Sequence, residues 1–168
     1  MGGQLPLLSS GTIEEMTQWR EIVASEPQFA ERVKQIFDLR KHKTLATLRA
    51  DGSPRISGIE AEFDEGDIWL GLMPDSVKLR DLQRDPRLAL HATSDDPPAD
   101  RPSDWEGDAK IGGRAVPAQR PDRPTPPASW FRIDIDDEVA LTYVSDPPDY
   151  LVIESWHPGR GLQRTQRK

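Results

Sequence analysis

The sequence predicts a mainly β fold: an antiparallel sheet of about six strands closed into a small barrel, with helices packed outside it. Three observations lead there. Apolar and polar residues alternate with period two from Thr44 onward, the alternating segments are joined by tight turns, and helical periodicity is confined to the N-terminal stretch and one short insert. A doubly wound parallel sheet fits poorly, because most neighbouring strand segments have no helix between them.

Each element has its own signal. Thr12 and Glu15 stand in capping-box spacing ahead of Ile13, Met16, Trp19, Ile22 and Val23, which predicts a helix over 12–25. A second capping box, Ser25 and Gln28, with Pro27 in the first turn, opens a helix carrying Phe29, Val33, Ile36 and Phe37 on one stripe and ending near Lys41 or His42. Alternation over 44–49, the hairpin signal Asp51-Gly52 and a returning strand over 55–63 follow. Asp64 to Asp67 turns the chain into Ile68 to Leu72, and Asp75 or Ser76 caps a short helix with Val77, Leu79 and Leu82, which Asp85-Pro86 ends. Further strands are predicted over 88–92, 110–116, 130–145 (one long strand) and 150–156. Gly112-Gly113 within a strand marks a bulge or a close backbone approach. The acidic run Asp134, Asp136, Asp137 and Glu138 alternates with apolar residues and reads as a solvated strand face. Sixteen prolines cluster in the intervening loops, around 95–102, 117–127 and 147–148.

With 168 residues the chain reads as one domain: an N-terminal helical segment over 1–42, a barrel over 43–157 and a basic tail over 158–168. Acidic residues number 29 against 22 basic, for a net charge of −7, so general attraction to nucleic acid or anionic lipid is disfavoured and any anion site must be local. No apolar run reaches membrane-helix length and Met1 to Ser10 has no export-signal pattern, so a cytoplasmic protein is expected. Cysteine is absent and the three histidines have no ligand spacing, which excludes thiol chemistry and argues against a metal. No Gly-x-Ser-x-Gly elbow occurs, and no side chain declares itself a catalytic acid or base.

The most informative stretch is Asp75-Ser76-Val77-Lys78-Leu79-Arg80. A lysine in the first turn of a helix opposes the helix dipole, whereas a bound anion would be favoured there by the same dipole, by free backbone N–H groups and by the Ser76 hydroxyl. Together with Leu45 to Ser57 and Leu82-Gln-Arg-Asp-Pro-Arg87, this stretch resembles the split-barrel flavin-binding proteins of the pyridoxamine 5′-phosphate oxidase superfamily, in particular the actinobacterial branch that binds FMN or coenzyme F420. The resemblance covers roughly 37–116 and implies a homodimer of six-stranded antiparallel split barrels with a cofactor in each interface cleft.

The resemblance assigns Lys78 to the cofactor phosphate, Ser76 as the hydroxyl residue two positions earlier, and Arg80 as a further phosphate contact. It lays Arg55, Ile56 and Ser57 against the ring and phosphate side of the cofactor. Strand alternation sets Arg55 and Ser57 on one face and Ile56 on the other. Trp156, Arg160 and Arg164 place an aromatic and two cations where the family brings its C-terminus near the cofactor. The oxidase's Arg-Lys pair has no match in Ile68 to Met73, and its C-terminal Arg-x-His is not reproduced after His157, which argues against pyridoxamine phosphate as substrate. The expected function is a flavin- or deazaflavin-dependent oxidoreductase acting on a small organic molecule. The alternative is a non-catalytic carrier of FMN, F420 or haem.

Overall fold

The structure, a computed structural model, describes residues 16–120, 122–123 and 129–168. The elements in chain order are β1 (Thr17–Gln18), α1 (Trp19–Ser25), α2 (Pro27–Asp38), β2 (His42–Leu48), β3 (Pro54–Asp64), β4 (Asp67–Leu72), α3 (Val77–Arg84), β5 (Arg87–Thr93), β6 (Asp108–Pro117), β7 (Ser129–Ile135), β8 (Val139–Val144), β9 (Leu151–His157) and β10 (Gly161–Arg167). All strand pairs are antiparallel.

The strands run β7-β4-β3-β2-β5-β6, and β6 pairs with β7 to close a barrel of six strands, as the sequence predicts. Pairing of β6 with β7 removes the edges that those two strands would present in an open sheet. Inward positions fill the interior: Leu45, Ile68, Leu70, Leu90, Ile111 and Ile133 are fully buried. Phe29, Val33 and Phe37 of α2 and Trp19 and Ile22 of α1 join the same core. Trp19 and Phe37 meet Phe63 of β3 at ring-centroid distances of 5.1 and 5.3 Å. Burying each such side chain contributes about 1.5–3 kcal/mol, enough to order two short helices that would be marginal alone.

Local signals hold with small shifts. The Asp51-Gly52 hairpin forms, Gly52 taking φ 82°, and the next turn uses Glu65 and Gly66 at φ 49° and 80°, the left-handed pair a tight hairpin requires. Glu26, not Ser25, precedes α2, because the Ser25 hydroxyl donates back to the Ile22 carbonyl and closes α1. Glu21 accepts the Gln18 amide at 2.7 Å and starts α1 at Trp19; the predicted start at Thr12 with Glu15 lies outside the described residues. Lys43 points inward, only 7% exposed, and its ammonium donates to the carbonyls of Arg40 and Lys41 beyond the end of α2. Burial lowers its pKa against the pull of Asp38 and Glu60.

Three expectations are corrected. The long strand over 130–145 is two strands, because β6 is shared: Asp108 to Ile111 pair with β8 and Arg114 to Pro117 with β7, so the chain must step from one half of β6 to the other. The step occurs at Asp136 to Glu138, opposite Gly112 and Gly113; a Cβ on Gly113 would stand 2.3 Å from the Asp134 carbonyl oxygen, the close approach the two glycines predicted. The acidic run is not a uniformly solvated face either. Asp134 is 4% exposed and accepts from Arg132 at 2.7 Å, and Asp136 accepts from Arg114. Lastly, the segment over 158–168 is not a loose tail. Its residues pair with β9 along the whole of β10, from Gly161 opposite His157 to Arg167 opposite Leu151. The backbone pairing of a hairpin wins over side-chain charge, and β8, β9 and β10 form a sheet extension outside the barrel rather than part of its ring.

Candidate functional site

The site grows from the junction of β4 and α3. After Leu72 the chain turns through Met73, Pro74 and Asp75, the last at φ 61°. Ser76 then takes extended geometry and its hydroxyl accepts the Leu79 amide at 3.3 Å. Capping uses one of the first-turn amides; those of Val77 and Lys78 remain at the helix start. The Lys78 ammonium donates to the Gly58 carbonyl on β3 at 2.6 Å.

That reach is possible because β3 is half unpaired. Residues Pro54 to Glu60 ladder onto β2, whereas pairing with β4 begins only at Ala61. Lys78 therefore crosses an open backbone edge. Beside it lies a cleft of about 330 Å³ whose walls include His42, Gly58, Glu62, Gly71, Met73 and Trp130. Trp130 packs flat on the strand because its neighbour is glycine: a Cβ on Gly71 would sit 2.9 Å from the indole.

On the other side of β3, Asp81 of α3 is a buried hub. Its carboxylate accepts from Thr47 at 2.8 Å, Arg55 at 2.7 Å and Arg84 at 2.9 Å. Burial works against ionisation, but the hydrogen bonds from Arg55, Thr47 and Arg84 outweigh it and bring the carboxyl down to about 2. Arg49, Arg55, Arg80 and Arg84 surround a second, open cavity of about 420 Å³ with Asp51 and Asp81. Four cations against two carboxylates give this wall a local positive excess in a chain of net charge −7.

The predicted site residues are thus divided. Ser76, Lys78 and Arg80 share the start of α3, and Arg55 joins Arg80 at the cationic cavity. Arg55 is engaged by Asp81, and Arg80 donates to the Asp75 carbonyl at 3.0 Å. Ser57 pairs opposite buried Leu45 on the inward side of β3. Ile56 faces outward, 76% exposed, in a depression of about 300 Å³ with Ala46, Ala89, His91 and Lys110. Trp156 is 7% exposed in the hydrophobic core, opposite Val139 and Leu162, and lines neither of the first two cavities.

Asp81, Gly71, Trp130 and Arg120 are the site-forming residues that sequence reasoning missed. An acidic residue one place before Leu82 on a helix whose inner stripe is apolar was a signal for the first, and a glycine between Leu70 and Leu72 was one for the second. Nothing local marks the other two. Arg120 sits in the β6–β7 connection, its side chain 2% exposed, bridging to Glu62 at 2.8 Å, to Asp122 at 3.1 Å and to Asp64. Among the described residues no group of histidine and carboxylate side chains is arranged to hold a metal. No described helix is long and apolar enough to cross a membrane.

Comparison with known proteins agrees with this architecture. PhzG from Burkholderia lata, solved in complex with tetrahydrophenazine-1-carboxylic acid, superposes with a TM-score of 0.62 at 14% identity over 94% of this chain and 100% of that one. A heme binding protein from Mycobacterium smegmatis gives a TM-score of 0.54 at 15% identity over 84% and 88%. Identities this low speak for the fold alone. No curated protein sequence matches the chain. The sequence pattern of the pyridoxamine 5′-phosphate oxidase family does match, over residues 29–137, which takes in most of α2, the whole closed barrel and the Lys78 cleft; the chain belongs to the pyridoxamine 5′-phosphate oxidase family.

Proposed function

We propose that this chain is an oxidoreductase that holds FMN or coenzyme F420 across the open edge of β3, with the cofactor phosphate at Ser76 and Lys78 and further negative charge against Arg55 and Arg80. The observation that carries the reading is Lys78 in the first turn of α3, its ammonium 2.6 Å from a carbonyl of an unpaired strand edge and beside a cleft. A phosphate exchanging with that carbonyl would gain a charge-assisted hydrogen bond and the two first-turn amides. When bound, the flavin or deazaflavin ring supplies two-electron, hydride-type chemistry. The chain's part is to bind, orient and dry that ring: the β3 edge offers backbone donors and acceptors, and Met73 and Trp130 exclude water. The substrate is a small organic molecule.

A second copy of the chain would complete the cleft by covering the outer face of β2, β3, β5 and β6, where Ile56, Ala46 and Ala89 leave an apolar surface. Light scattering with cofactor present should report a two-fold dimer; a particle of one chain mass, 18.9 kDa, would overturn it.

The carrier reading draws on His91, which Asp108 steadies at 3.2 Å in the apolar depression beside Ile56. An imidazole beside an apolar wall suits haem, and the Mycobacterium smegmatis neighbour is a heme binding protein. Titration of the purified protein with FMN, F420 and haemin, followed by absorbance and fluorescence, separates the two. Lys78→Ala should weaken FMN or F420 by on the order of 1.5–3 kcal/mol, the worth of one charge-assisted contact, and leave haemin unchanged. Saturable haemin binding that His91→Ala abolishes, with no affinity for FMN or F420, would replace the oxidoreductase by the carrier.

A further inference from the structure

Trp130 stands where two hollows meet. It lines the 330 Å³ cleft beside Lys78 and also a larger apolar cavity of about 500 Å³ with Leu82, Pro86, Val116 and Phe131. Its far edge is fixed from below by Gly71, the one residue type that leaves room for the ring. Its other support is Arg120. The guanidinium carbon lies 5.1 Å from the Trp130 ring centroid and 5.1 Å from that of Trp69, both within the range of a cation–π attraction. Glu62, Asp64 and Asp122 hold the same guanidinium in place, and the Ala118 amide donates to the Trp130 carbonyl at 3.2 Å, tying the connection to the start of β7.

We infer that Arg120 is a positioning residue that locks the Trp130 indole as the partition between the Lys78 cleft and the apolar cavity, so that Trp130 limits the size of the ring system the cleft accepts. The inference rests on the proposal that this cleft holds the cofactor. Its physical basis is independent of that proposal. A buried guanidinium with three carboxylate partners has a single satisfied position, and two indoles packed against it lose their rotamer freedom. Swinging Trp130 away would open one continuous hollow and expose the cation. The arrangement selects for planar ligands that stop at the indole and against those with a bulky apolar substituent at that end.

Arg120→Gln, Arg120→Lys, Trp130→Ala and their combinations test this in two ways. Without ligand, and with Trp69→Phe throughout to remove the other indole beside Arg120, acrylamide quenching of tryptophan fluorescence should rise in Arg120→Gln, recover in Arg120→Lys, and lose its Arg120 dependence when Trp130→Phe is added, which isolates that ring among the tryptophans. With FMN and F420 as probes, Arg120→Gln should weaken binding ~5-fold or more, the scale of a desolvated cation–π contact, and should have no further effect in the Trp130→Ala background. Trp130→Ala should also admit 8-substituted FMN analogues that the native protein refuses. Gly71→Ala presses on the indole without touching Arg120 and should reproduce the loss of affinity, which keeps the test open if Arg120→Gln does not fold. Unchanged quenching overturns the lock whatever binds. An Arg120→Gln effect of equal size without Trp130 overturns its action through that ring. Failure of the native protein to bind either probe overturns the cofactor reading and, with it, the role of the partition, while the quenching result still decides the lock.

Discussion

Two buried charges flank the candidate cleft, and they are built in opposite senses. Asp81 is an anion, its side chain 4% exposed, encircled by Thr47, Arg55 and Arg84. Arg120 is a cation, its side chain 2% exposed, encircled by Glu62, Asp64, Asp122 and two indoles. The partners of Asp81 belong to β2, β3 and its own helix, so the carboxylate joins α3 to the barrel wall. Those of Arg120 are half-exposed carboxylates that return to water easily, together with aromatic rings that define a cavity. What a buried charge contributes therefore depends on what its partners become without it. One arrangement secures the fold, and the other sets the shape of a site.

The largest expected effect follows from removing Asp81. Asp81→Ala strands Arg55, a quarter exposed, and the hydroxyl of Thr47, and should cost about 3 kcal/mol, the lower end for breaking a buried pair because Arg84 stays hydrated. Urea unfolding with an unchanged slope would measure it; a loss below 1 kcal/mol would erase the contrast with Arg120. The same residue sets an acid limit. Its carboxyl is held at about 2 when folded, against an ordinary value near 4 when unfolded. The unfolded chain therefore takes the proton first, and the stabilisation, complete above pH ~4, drains away as pH falls towards 2. Asp81→Ala should reduce the slope of stability across that window, and Asp85, which its hydrogen bonds with Arg87 also hold at about 2, should keep the remainder.

Arg120→Ala should cost less stability, about 2 kcal/mol, from lost cation–π contact and lost packing of its stem. A larger loss than that of Asp81→Ala would show that the connection after β6 secures the barrel more firmly than α3 does. Thr47→Val, which keeps volume and removes one of three hydrogen bonds to Asp81, should cost about 1 kcal/mol. Its additional effect in the Asp81→Ala background should vanish, since the two share one interaction.

Much of this architecture was legible along the chain. The period-two alternation over 44–72, the Asp51-Gly52 turn and the Ser76 cap are local devices whose geometry follows from adjacent residues, and they form as expected. Lys78 stood out for the same reason, a cation at the wrong end of a helix. The side-chain neighbourhood was less legible. Alternation correctly separated Arg55 and Ser57 from Ile56, but it could not tell that Arg55 turns to Asp81, 26 residues away in sequence. The resemblance assigned Trp156, at the end of the predicted last strand, to the cofactor; instead it lies in the core, because the next seven-residue strand folds back beside it.

The sequence by itself determined the fold class, the order of elements from α1 to β6, the turns between β2, β3 and β4 and the helix start that presents Lys78, since each depends on propensities and hydrogen bonds spanning a few residues. Only the tertiary structure decided that β6 would be divided between β7 and β8 and that Arg120 would meet Trp69 and Trp130. Those outcomes depend on barrel closure, which brings the far ends of β6 and β4 against a common neighbour, β7. Closure is a property of all six strands together, and no local window of residues carries it.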